Sequence, residues 1–115
     1  MGAFADAVNA RLRAGLDERR PRFEWNTEYR IAGTPVDVVG GAPGHLVAVE
    51  LEWRRADPAD NTAKLFRHLS EGTLDRERVS VFQVFTGYYD LASGGVSSKR
   101  QNAEFVGQVA ADALS

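Results

Sequence analysis

Thr34-Pro35-Val36-Asp37-Val38-Val39, then Gly40-Gly41-Ala42-Pro43-Gly44, then Leu46-Val47-Ala48-Val49-Glu50-Leu51-Glu52-Trp53 is the stretch on which the fold turns. Two runs rich in β-branched residues flank a Gly/Pro segment, the pattern of a β-hairpin. Side chains alternate along a strand, so Glu50 and Glu52 are expected on one face and Val47, Val49, Leu51 and Trp53 on the other. Asp37 lies in the partner strand, within reach of both in a hairpin register. Carboxylates grouped on an apolar hairpin are costly to desolvate unless their charge is compensated. A divalent cation does this, and Mg²⁺ (or Mn²⁺) with one or two carboxylates, waters and a substrate phosphate is the natural choice. The competing reading of the same spacing is an ordinary half-exposed strand with acids on its wet face.

Working outward toward the N-terminus, Phe4, Val8, Leu12 and Leu16 recur at helical spacing, and the expected helix runs from Ala3 to Arg19 before Pro21 stops it. Phe23 to Ile31 alternates apolar and polar residues and reads as a strand with one wet face. A turn at Gly33-Thr34-Pro35 joins it to the Asp37 strand and completes a meander.

Toward the C-terminus, Asp57 at an N-cap and Pro58 at the first helical position open a helix expected to reach about Ser70, with Gly72 as its stop. Thr62, Leu65, Phe66 and Leu69 form its apolar arc; Asn61, Lys64 and His68 form an adjoining polar stripe. Val79 to Phe85 is nearly continuous in apolar residues, as for a strand covered on both faces. A Gly/Ser/Tyr-rich loop from Thr86 to Ser97 precedes Ser98, an N-cap with Gln101 three residues on. The last helix presents Val106, Val109, Ala110, Ala113 and Leu114 as its apolar stripe. Helix, three-strand meander, helix, strand, helix predicts a single α/β domain over residues 1–115. The economical form is a three-layer α/β/α arrangement around a central mixed sheet of about four to five strands.

Composition narrows the function classes. With 115 residues, 43% hydrophobic and 26% charged, the chain has room for a single core. The absence of cysteine excludes disulfides and thiolate metal sites, and two histidines, His45 and His68, argue against structural zinc. No apolar run approaches membrane-spanning length, and no targeting signal is evident, so a cytoplasmic protein is expected. A net charge of −2 counts against a general nucleic-acid binder, though the arginines cluster at Arg11, Arg13, Arg19, Arg20 and Arg22, then at Arg54-Arg55, Arg67, and Arg76 with Arg78.

The element order, with Asp37 in the second strand and Glu50-Leu51-Glu52 in the third, resembles the core of the PD-(D/E)xK nuclease superfamily, the restriction-endonuclease-like fold, from Ala3 to Leu114. The resemblance implies that Asp37 and Glu50 are metal ligands and that the substrate is DNA. It departs at Glu52, where the family usually has lysine. The resemblance admits an acid there as a further ligand or base. It also admits a lysine moved to the next helix, the position of Lys64, with His68 one turn on. Many members carry a Glu in the first helix; Asp6 and Glu18 are the acids available here. Without a separate recognition domain, duplex cleavage implies a homodimer.

Other residues have plainer readings. Trp25 and Trp53 are expected in the core rather than stacked on bases, and Tyr88-Tyr89-Asp90 in a mobile surface loop. Gly40 to Gly44 joins two strands and is no phosphate loop, and His45 reads as an exposed turn residue. Two alternatives to a nuclease stand beside it. One is a catalytically silent relative serving as a nucleic-acid-binding or protein-interaction module; the other is a fold whose acids are only surface residues.

Overall fold

The computed structural model describes residues 2–31, 34–54, 56–71 and 78–114. The elements follow the order α1 (Ala3–Arg19), β1 (Glu24–Ile31), β2 (Thr34–Ala42), β3 (His45–Glu52), α2 (Pro58–Ser70), β4 (Arg78–Phe85) and α3 (Ser98–Leu114). One short 3₁₀ turn, Gly87–Tyr89, precedes α3. The four strands form one sheet in the order β1-β2-β3-β4. β1 to β3 are antiparallel neighbours. β4 runs parallel to β3: the Arg78 N–H donates to the Gly44 carbonyl at 2.9 Å and the Thr86 N–H to the Glu52 carbonyl at 3.1 Å, both numbers rising together. The protein is therefore α/β with a mixed, open sheet. Among the described residues no helix is long and apolar enough to cross a membrane. The expected turn residue Gly33, the helix stop Gly72, and Arg55 and Arg76 lie outside the described residues.

Two compact units divide the chain: Met1–Glu50 with Asp75–Gln83, and Leu51–Leu74 with Val84–Ser115. In the first, α1 lies against β1 and β2. Trp25, Ile31, Val36, Val38, Val39, Leu46, Ala48 and Val49 are buried and make its core. The hairpin is tighter than its glycines suggest. β2 continues to Ala42, which pairs with His45, so the turn is Pro43-Gly44 alone. Gly40 sits inside the strand opposite Trp25. A Cβ there would lie 2.5 Å from a carbon of the Trp25 ring, so this close approach requires glycine.

The second unit packs α2 against α3. Thr62 and Leu65 of α2 and Ala103 of α3 are buried, and Gly107 of α3 brings its backbone near Thr62. Three expectations are corrected here. The segment around Tyr88-Tyr89-Asp90 is ordered by packing: Tyr89 is fully buried, edge-on to Phe85 and Tyr88, and Asp90 bridges to Val96. Helix α3 starts one residue earlier than a Ser98 cap requires, because the Ser97 carbonyl accepts the Gln101 N–H. β4 is an edge strand, and Phe82 and Val84 are exposed rather than covered on both faces.

Candidate functional site

The β2–β3 ladder ends at Val38 opposite Val49, and one step further the register places Asp37 opposite Glu50. There the Asp37 N–H donates to the Glu50 Oε1 at 2.9 Å, so a side chain satisfies a strand amide. The same point is distorted on the other side of β2. Pairing with β1 skips between Thr27–Val38 and Tyr29–Val36, and Glu28 between them has φ 56°. A non-glycine in the left-handed region costs about 1–2 kcal/mol. Strain of this kind persists only where the surroundings impose it, and it concentrates at functional positions.

Helix α1 completes this corner. The Asn9 carboxamide Nδ2–H donates to the Asp37 Oδ1 at 3.3 Å. Asn9 is 2% exposed, and its Oδ1 is buried with no hydrogen-bond partner. Asn9 is the buried residue of α1, whereas Phe4, expected on the apolar stripe, is 73% exposed. The acids considered for the first helix, Asp6 and Glu18, are both exposed. The residue brought to Asp37 is thus an amide, which a search for acids passes over. Its helical position, one residue beyond Val8 on the packed side of α1, is the signal that could have found it.

Glu52 belongs to the second unit and is completely buried, so it is no surface residue. Asn61 Nδ2–H of α2 donates to its Oε1 at 3.1 Å. Asn61 was legible as part of a polar stripe but not as a partner of Glu52. Lys64, on the same stripe, pairs with Asp60 at 3.1 Å, both side chains being about half exposed. Lys64 thus carries an ordinary i,i+4 ion pair on the helix surface. Among the described residues no group of three or more His, Cys, Asp or Glu side chains could hold a metal ion. What the fold joins is the pair Asp37 and Glu50 with Asn9, and separately Glu52 with Asn61. An open concavity of about 470 Å³ lined by Glu24, Asn26, Tyr29 and Leu46 contains none of these residues.

His45 differs from its expected place as an exposed turn residue. It opens β3, is half-buried, and packs edge-on against Phe23 at 5.2 Å. Partial burial, then the positive charges of Arg78 and Arg22, hold its pKa below the ordinary value of 6.5. Comparison with protein-family models, with curated protein sequences and with solved structures returns no match.

Proposed function

We propose that the chain is a metal-dependent nuclease domain of the restriction-endonuclease-like kind, hydrolysing DNA phosphodiester bonds with Mg²⁺ or Mn²⁺ and working as a homodimer. The observation that carries this reading is the direct link between Asp37 and Glu50 with the buried Asn9 carboxamide against Asp37. Magnesium commonly takes one or two carboxylates and keeps several waters, so Asp37 and Glu50, joined through the Asp37 amide, meet the number of protein donors it needs. Beside them the Asn9 carboxamide meets Asp37 through Nδ2–H and keeps a buried oxygen of the same hard type without a hydrogen-bond partner. The hard oxygen chemistry of Asp37 and Glu50 supports this reading.

Asp37 and Glu50 would hold the ion, which when bound neutralises phosphate charge and acidifies a coordinated water. The protein's own contribution is orientation. Asn9 fixes the Asp37 carboxylate, and the Asp37 amide fixes the Glu50 carboxylate, so neither has to be ordered when a phosphate arrives. Glu52, held by Asn61 within the second unit, is the acid that the resemblance admits as base or further ligand. Lys64, paired with Asp60, is the lysine that the resemblance admits as an aid to a developing negative charge.

A plasmid-nicking assay with Mg²⁺ or Mn²⁺ tests this, alongside calorimetric titration of Mn²⁺ into the protein. Asp37→Ala and Glu50→Ala should abolish both cleavage and the Mn²⁺ signal. Glu52→Ala should be severe, and Lys64→Ala mild. A second reading, a silent nucleic-acid-binding or protein-interaction module, is favoured by the absence of a three-ligand group among the described residues. Salt-dependent DNA binding without cleavage under any divalent ion, and no Mn²⁺ uptake, would decide for that reading.

A further inference from the structure

The first unit carries a cluster of hydrogen-bond donors that the Asp37–Glu50 corner does not use. His45 Nδ1 lies 3.4 Å from an Arg22 guanidinium nitrogen, and His45 Nε2 lies 2.9 Å from the Ser80 hydroxyl oxygen. Guanidinium only donates, so Nδ1 is the acceptor and the ring proton sits on Nε2. Nε2–H therefore donates to Ser80 Oγ, and the hydroxyl proton of Ser80 is directed elsewhere. Arg22 is steadied by the Phe23 ring, 4.4 Å beneath its guanidinium, and the same ring meets His45. Arg78 is placed beside this group by its backbone bond to Gly44, and its charge acts on the His45 ring.

The Arg22 guanidinium and the Ser80 hydroxyl thus flank a neutral imidazole, and Arg78 stands two residues before Ser80 on β4, at a position of the same strand face. Among the described residues the ion pairs of the protein involve neither Arg22 nor Arg78. Both side chains are exposed, so a ligand reaches them from solvent. Like charges brought together without a counter-charge lower each other's stability, unless an anion answers them. The chemistry that answers fork-shaped donors together with a hydroxyl is a tetrahedral oxyanion, since arginine matches phosphate with two parallel bonds.

We propose that Arg22, Arg78, Ser80 and His45 form a binding site for a phosphate group. The ligand class is shared by free phosphate and the phosphodiester backbone of a polynucleotide. A bound phosphate brings negative charge to this corner, and it favours protonation of His45 where the two arginines oppose it. The site lies at the start of β3 and β4, away from the Asp37–Glu50 end of the hairpin ladder, and needs no divalent ion.

The test follows the imidazole Hε1 resonances of the full chain by NMR in EDTA, with inorganic phosphate added at constant ionic strength. The expected result is a saturable shift of the His45 signal with a rise in its pKa, while His68 serves as the unmoved internal reference. Arg22→Gln and Arg78→Gln, both at exposed positions, should each weaken phosphate binding about ten-fold or more, the value of one charge-assisted bond. A short DNA duplex that displaces phosphate from the site identifies the polynucleotide backbone as the source. A duplex that leaves the phosphate shift intact assigns the site to free phosphate or a small phosphomonoester. An equal shift with sodium chloride, an unchanged affinity in both arginine variants, or no shift of His45 overturns the proposal. None of these readouts depends on cleavage or on a metal, so they stand apart from the nuclease assay.

Discussion

Glu28 is the described non-glycine residue with a positive φ, and it faces Asp37 across the skipped pair of β1 and β2. Its conformation is a cost that glycine would not incur. Glu28→Gly should therefore be at least as stable as the parent in urea denaturation. Glu28→Val, whose branched Cβ tolerates the left-handed region poorly, should lose about 1–2 kcal/mol. Asn9 supplies a second residue-scale test. Asn9→Asp places a carboxylate against Asp37 where an amide donor now sits. Lost donation and like-charge repulsion should destabilise the protein by about 1–3 kcal/mol in EDTA. If the corner holds a cation, Mn²⁺ should restore the melting temperature of Asn9→Asp more than it raises that of the parent.

At the scale of elements, the hairpin shows what sequence patterns reveal and where they stop. Alternation places Asp37 and Glu50 in facing strands because strand period and register are local properties. The local pattern makes the turn too long, because Gly40 and Gly41 look like turn residues although Trp25 lies over Gly40 inside the strand. That requirement comes from another strand and leaves no mark in the local pattern. The same holds for Gly40→Ala, which should cost about 1–3 kcal/mol in thermal or urea unfolding because the added methyl meets the indole ring. Helix α1 was placed correctly from its apolar spacing, yet its buried member is Asn9 and its exposed one Phe4. Periodicity identifies a helix, but which residues pack depends on the surface it meets. β4 was read as doubly covered because an apolar run signals burial; position at the sheet edge is a matter of topology, which composition does not encode.

For the whole molecule, His45 couples stability to pH. Its folded pKa lies below the ordinary 6.5, so the folded state binds fewer protons than the unfolded state as the medium acidifies. The stabilisation tied to neutral His45 is present above that value and is lost as pH falls through the folded pKa. The melting temperature should therefore fall on acidification from neutral pH, and it should fall less steeply in His45→Gln, measured by circular dichroism. Added phosphate should flatten the parent profile if the proposed anion site is real. Net charge, −2 overall, leaves little long-range attraction for DNA, so any backbone contact must come from local groups such as Arg22 and Arg78.

The position of β4 at the edge of the sheet has a practical side. Its sequence from Arg78 to Phe85 contains no proline or lysine, and Phe82 and Val84 stand 56% and 48% exposed. Open strand edges of this composition recruit like edges from other molecules into growing ladders. Storage at high concentration is therefore expected to be limited by association of such edges. Val84→Lys, which places a charge on that edge, should extend the period over which light scattering stays flat without altering the melting temperature. A preparation whose turbidity rises equally fast with the lysine in place would locate the sticky surface elsewhere.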